Sequence, residues 1–159
     1  MRRFAGSPST MSTEGNSAAE PARARARILI VEDNALNRLL VHDLLELRGH
    51  DILEAATVDE ARQAFDAGRP DLLLLDVQIP GGGAEAVIRD ARRRPGFADL
   101  PIVAVTSLAM PGDRERLLGG GFQGYLSKPI DTRTFGSVIE SYLNGARRVE
   151  DQPRVRRAG

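Results

Sequence analysis

The sequence predicts an α/β protein, a doubly wound five-stranded parallel sheet with five helices, and three observations carry that expectation. Five short apolar runs recur between residues 27 and 144. Each is followed by a segment whose apolar residues fall at helical spacing. The run at 72–75 is four consecutive leucines, as suits a central strand covered on both faces. Strands alternating with helices in this way close into a parallel sheet with helices on both sides.

Residues 27–31 (RILIV) read as the first strand, and a helix follows from about Ala35 to Arg48 with Leu36, Leu40, Leu44 and Leu47 at helical spacing and Gly49 as its stop. Residues 51–55 form the second strand. Thr57 with Glu60 three residues on makes a capping box for a helix that buries Ala61, Ala64 and Phe65 and ends at Gly68. After the strand at 72–75, a helix from about Ala84 to Arg93 turns Ala84, Val87, Ile88 and Ala91 inward. Residues 102–105 are the fourth strand, followed by a short, weakly amphipathic helix near Asp113 to Leu118. Tyr125 to Ser127 is the last strand. A closing helix over about Asp131 to Leu143 buries Phe135, Val138, Ile139, Tyr142 and Leu143.

Composition narrows the function classes. With no cysteine and no tryptophan, disulfides and thiolate metal sites are excluded, and aliphatic side chains supply the core. No apolar run approaches the roughly 20 residues of a membrane span, and the amino terminus lacks the apolar middle of a signal peptide, so a cytoplasmic location is expected. Formal net charge is +0, but it is unevenly spread. Residues 1–26 hold four arginines against two glutamates, and residues 146–159 five arginines against Glu150 and Asp151, leaving the body at −5. An acidic body with basic ends is not the footprint of a nucleic-acid-binding domain. Both ends, 1–26 and 145–159, are rich in small and polar residues without period and are expected to be flexible tails around a 27–144 domain. Lys128 is the only lysine among 22 basic residues, which draws attention to a position wanting a compact ammonium.

In a doubly wound sheet, ligands bind outside the carboxyl ends of the strands. Val31 leads into Glu32 and Asp33, Leu75 into Asp76, Val105 into Thr106, and Ser127 into Lys128. Three carboxylates, a hydroxyl and an ammonium therefore converge at one sheet edge. Clustered carboxylates raise one another's pKa unless a cation compensates, and hard oxygen donors without His or Cys favour Mg²⁺. A metal there makes one carboxylate a usable nucleophile toward a phosphoryl group, and Asp76 on the central strand is the candidate.

The segments Ile30-Val31-Glu32-Asp33-Asn34, Leu75-Asp76-Val77-Gln78-Ile79-Pro80, Val105-Thr106-Ser107 and Tyr125-Leu126-Ser127-Lys128-Pro129 resemble, in order and spacing, the receiver domains of response regulators, the CheY-like family. The resemblance covers about residues 27–144 and implies a flavodoxin-like strand order 2-1-3-4-5. It implies that Asp76 is the phosphoacceptor in a two-component phosphorelay, fed by a histidine kinase or histidine phosphotransfer protein. Asp33 and Asp76 would ligate Mg²⁺, Glu32 largely through water, with the Gln78 backbone carbonyl as a further ligand. Lys128 and Thr106 would bind the phosphoryl oxygens, and Thr106 with Tyr125 would form the switch that alters binding of a downstream protein. The Lys128–Pro129 peptide would be cis. Stretches such as His42-Asp43-Leu44-Leu45-Glu46 and residues 110–116 (MPGDRER) are similar to single-domain regulators of the DivK type. The chain departs from the family in having Ala84 where a glycine is usual, after Gly81-Gly82-Gly83, so a looser or shifted turn is expected after Pro80. The glycine run 119–124 likewise predicts a mobile signalling face.

Other readings are weaker. Singly, Asp76, Thr106 or Glu32-Asp33 could be turn or cap residues, but their joint placement at four strand ends is not explained that way. Residues 119–124 satisfy G-x-G-x-x-G yet precede a strand instead of following one, against a dinucleotide site. His42 reads as a boundary residue on a helix, and Arg92-Arg93-Arg94 as a solvated face. A phosphatase with an aspartyl-phosphate intermediate, like haloacid-dehalogenase-type enzymes, needs an acid two residues after the nucleophile, where this chain has Gln78. The basic tails leave a nucleic-acid contact as an alternative, without any helix-turn-helix pattern to support it. Homodimerisation on phosphorylation is left open.

Overall fold

The structure is a computed structural model that describes residues 25–107 and 112–145. The expected tails, except for Arg25, Ala26 and Gly145, lie outside the described residues, as do residues 108–111, which include the first two of the 110–116 stretch likened to the DivK type. Ala26 is buried, and its N–H donates to His50 Nδ1 at 3.2 Å, so the residue before the first strand already belongs to the core.

Five strands, β1 (Arg27–Val31), β2 (Asp51–Ala55), β3 (Leu72–Asp76), β4 (Ile102–Thr106) and β5 (Gly124–Ser127), form one parallel sheet in the order β2-β1-β3-β4-β5. The helices are α1 (Ala35–Glu46), α2 (Val58–Ala67), α3 (Gly83–Arg92), α4 (Asp113–Gly119) and α5 (Phe135–Leu143). This is the doubly wound order that the resemblance implied. Side chains alternate across each strand, and the alternation separates two cores. Leu29, Val31, Leu73, Leu75, Ile102 and Ala104 pack with Ala61 and Phe65 of α2 and Val87, Ile88 and Ala91 of α3. On the opposite face Ile28, Ile30, Leu72, Leu74, Val103 and Val105 meet Val41 and Leu45 of α1 and Phe135, Ile139 and Tyr142 of α5. β3 and β4 are buried along their whole length, as central strands covered twice must be.

Local chemistry explains the boundaries. Thr57 accepts from the Glu60 N–H at 3.1 Å while the Glu60 carboxylate takes the Ala56 N–H at 2.7 Å, closing a capping box at α2. Before α3, Gly81 and Gly82 both take left-handed φ, +73° and +70°. Gly83 then lies against Ile79 so closely that a Cβ would come within 2.7 Å of its side chain. The glycine run 119–124 ends α4: Gly121 has φ +102°, and the Phe122 N–H returns to the Leu117 carbonyl at 3.3 Å while its ring is buried.

Two expectations are corrected. Of the leucines placed on the apolar stripe of α1, Leu36 (77%), Leu40 (39%) and Leu47 (83%) are exposed and only Leu44 is half-buried. The helix carries a second apolar stripe, Val41 and Leu45, and that one faces the sheet. The last helix begins at Phe135 instead of Asp131, because the Asp131 carboxylate accepts the Arg133 N–H and holds residues 131–134 in a turn. Ala64, Val138 and Leu143 are also only partly buried. Among the described residues no helix is long and apolar enough to cross a membrane.

Candidate functional site

The register brings the strand ends level. Val31 pairs with Leu75, Asp76 with Val105, and Thr106 with Ser127. Glu32, Asp33, Asp76, Thr106 and Lys128 therefore emerge at one edge, and the carboxylate oxygens of Glu32, Asp33 and Asp76 lie within 4.8 Å of one another. Glu32, Asp76 and Thr106 are buried, whereas Asp33 is exposed at the rim.

One ammonium serves two of the acids. Lys128 Nζ sits 3.0 Å from Glu32 Oε1 and 3.4 Å from Asp76 Oδ2. The other oxygen of each carboxylate accepts a backbone N–H: Glu32 Oε2 from Asn34 at 3.1 Å and Asp76 Oδ1 from Gln78 at 2.8 Å. Burial holds the Glu32 carboxyl above the ordinary glutamate range, and the neighbouring Asp76 pushes it the same way against Lys128 and the Asn34 N–H. Burial alone would lower the Lys128 ammonium, but Glu32 and Asp76 outweigh it and its pKa is raised. Among the described residues the pocket is thus an acidic trio paired with one ammonium, that of Lys128, and can accept further positive charge.

The surrounding backbone is held by partners remote in sequence. The Lys128 N–H donates to the Thr106 carbonyl at 2.8 Å, and the Lys128–Pro129 peptide is cis. Arg38 Nη1 donates to the Glu32 carbonyl at 2.8 Å, while its Nε reaches Glu54 at 2.9 Å. Tyr125 is half-buried and packs against the α2–α3 core, with β4 between its strand and that of Asp76.

Arg38 and the pairing of Ser107 with Gln78, at 2.7 Å between Oγ and Oε1, were not singled out by the sequence. Ser107 lies inside one of the quoted motifs, but nothing in the sequence marks its partner. His42 is half-buried on α1, the boundary position expected, and its Nδ1 lies 2.5 Å from Glu54 Oε2. With Asp43 and Glu46 it forms a second group of metal-ligating side chains, on a helix flank and not at the strand ends.

The sequence profile of the response regulator receiver domain matches residues 28–140. The polar-differentiation response regulator DivK of Brucella anthropi is 39% identical over 119 residues, covering 75% of this chain and 97% of that protein. Its counterpart in Brucella ovis is 38% identical over the same span. The receiver domain of the sensor histidine kinase PA1611 from Pseudomonas aeruginosa PAO1, solved with a magnesium ion in its active-site cleft, superposes with a TM-score of 0.68 at 28% identity, over 77% of this chain and all of that one. The chemotaxis response regulator CheY4 of Vibrio cholerae shares the fold with a TM-score of 0.68 at 24% identity, over 74% of this chain and 98% of that chain. With this fold, this profile and these relatives, the chain belongs to the response regulator receiver domains of two-component signalling.

Proposed function

We propose that this chain accepts a phosphoryl group on Asp76 from a histidine kinase or histidine phosphotransfer protein in a cytoplasmic phosphorelay, and that the modification switches its binding to a downstream protein. The observation that carries this reading is the buried Asp76 carboxylate at the end of the central strand, facing the only lysine of the chain across 3.4 Å with Glu32 and Asp33 beside it. A carboxylate held this way is poised as a nucleophile, since phosphoryl transfer asks for positioning and charge neutralisation above all.

In the transfer an Asp76 oxygen attacks the phosphorus of a phosphohistidine, the phosphorus–nitrogen bond breaks, and its electron pair returns to the imidazole. Glu32, Asp33, Asp76 and the Gln78 backbone carbonyl would hold Mg²⁺; three hard carboxylates within 4.8 Å and one ammonium fit a divalent ion. Bound there, it supplies neutralisation of the charge on the phosphoryl oxygens. Lys128 turns from Glu32 and Asp76 to the new phosphoryl oxygens, and the Thr106 hydroxyl at the end of β4 approaches them. Tyr125 on the adjacent strand then moves inward, which biases a pre-existing equilibrium of the β4–α4–β5 face.

The donor docks on α1. Leu36, Leu39 and Leu40 are exposed along it and Leu47 just past its end, and its N-cap Asn34 directly follows Asp33. Apolar residues at 36, 40 and 47 follow the spacing that seats one helix against others, which suits a donor whose histidine is carried on a helix bundle. Residues 27–144 act as the receiver unit in this reading, in keeping with a match that covers 97% of the Brucella regulator. It is not a phosphatase: Gln78 has no acidic proton to give a leaving group. Incubation with acetyl phosphate tests the reading. Label should appear only with Mg²⁺ and vanish in Asp76→Ala; label that survives the substitution overturns it.

A further inference from the structure

We propose that Arg38 is a positioning residue for the divalent-cation site, fixing the peptide that joins Glu32 to Asp33 and with it the relative placement of the two acids. The inference rests on those acids holding Mg²⁺. Val31 is the last residue of β1 and the last in its ladder with β2, opposite Ala55, so Glu32 and Asp33 stand beyond the paired residues and before the first turn of α1. One rigid peptide plane links the two residues, and tilting it would move one carboxylate against the other. Both main-chain groups of Glu32 are tied down. Its N–H donates to the Ala55 carbonyl at 3.0 Å, and its carbonyl, which belongs to that plane, accepts from Arg38 Nη1 at 2.8 Å.

Arg38 is itself anchored. Its Nε donates to Glu54 Oε1 at 2.9 Å, and the other oxygen of Glu54 lies 2.5 Å from His42 Nδ1. Glu54 stands next to Ala55 on β2, so that strand holds Glu32 twice, at the N–H through Ala55 and at the carbonyl through Arg38. The guanidinium donates from two nitrogens of one plane, which sets both contacts together. Its charge, by contrast, is unfavourable here, because a fixed cation close to the acids repels an incoming one. Position and charge therefore predict opposite effects on Mg²⁺ when Arg38 is removed. Arg38 acts through the main chain of Glu32, as the outer partner of a ligand orients it toward a metal.

Mg²⁺ alone is titrated into the isotope-labelled full chain, and its affinity is read from amide chemical shifts for wild type, Arg38→Met, Glu54→Leu and Glu54→Gln. Arg38→Met, which keeps a long apolar stem, should bind Mg²⁺ roughly tenfold more weakly, and Glu54→Leu, which frees the guanidinium, roughly threefold or more. Glu54→Gln loses the same charge but still accepts from Arg38, and should stay within about twofold of wild type. At saturating Mg²⁺ the rate of labelling by acetyl phosphate should also stay within about twofold in Arg38→Met, since Asp76 keeps its contacts with Lys128 and the Gln78 N–H. Unchanged or tighter Mg²⁺ binding in Arg38→Met, as its charge alone would give, overturns the proposal. So does a saturating labelling rate that falls along with the affinity, or a Glu54→Gln that binds as weakly as Glu54→Leu. If Arg38→Met does not fold, the two Glu54 variants decide on the same terms. A wild type that binds no Mg²⁺ would instead overturn the metal reading, and the role of Arg38 with it.

Discussion

Replacing Asp76 by Asn should stabilise the metal-free protein, although it removes the residue at the centre of the site. Lys128 lies 3.4 Å from Asp76 Oδ2 and attracts it by about 5 kcal/mol at an effective dielectric of about 20. Glu32, with oxygens within 4.8 Å, repels it by about 3.5 kcal/mol or more, and the exposed Asp33 by about half that because water screens it. Attraction and repulsion nearly cancel, which leaves the cost of burying a carboxylate that is 3% exposed. Asparagine keeps the volume and the acceptor for the Gln78 N–H while shedding that cost. The expected gain is about 1–2 kcal/mol at neutral pH, or roughly 3–8 °C in Tm for a domain of this size. Guanidinium unfolding in the presence of a chelator measures it. Added Mg²⁺ should then stabilise wild type more than Asp76→Asn. A variant that is less stable than wild type without metal would refute the charge balance argued for the pocket.

Other outcomes follow from the same geometry. Glu32 is held above the ordinary glutamate range, so between that range and its raised value the folded form binds more protons than the unfolded one; metal-free wild type should therefore lose stability as pH rises through that window. Glu32→Gln should remove that slope, and equal slopes from paired denaturation curves would contradict the assignment. Thr57→Ala breaks the cap on α2 and should cost about 1 kcal/mol in urea unfolding. Leu36→Glu, at a position 77% exposed, should leave stability and acetyl phosphate labelling intact while slowing transfer from a cognate histidine kinase by roughly tenfold or more in a radiolabel transfer assay.

Much of this was legible in the sequence for a simple reason. Four consecutive leucines at 72–75, too short a run for a helix between its flanking charges, suit a doubly covered strand, and a parallel sheet sends every carboxyl end to the same edge, so Glu32, Asp33, Asp76, Thr106 and Lys128 could be brought together without any distance information. Spacing could not choose between the two apolar stripes of α1, since both Leu36–Leu40–Leu47 and Val41–Leu45 fit one helix; the choice is made by the sheet beneath. The exposed set then becomes informative, because leucines left outside need a partner. The start of α5 was hidden by the Asp131 turn, which competes locally with the helix. Contacts such as Arg48, just past α1, with Glu140 of α5 at 2.9 and 3.0 Å, or Ser107 with Gln78, join residues far apart in the chain and carry no local signal.

In the proposed reaction Asp76, and no other acid of the pocket, carries the phosphoryl group. Borohydride reduction of the acetyl phosphate-labelled protein, followed by peptide mapping in a mass spectrometer, reads the site directly. The modification is expected at Asp76 and only when Mg²⁺ is present during labelling; modification at Glu32 or Asp33, or none at Asp76 with Mg²⁺ present, would refute Asp76 as the phosphoacceptor.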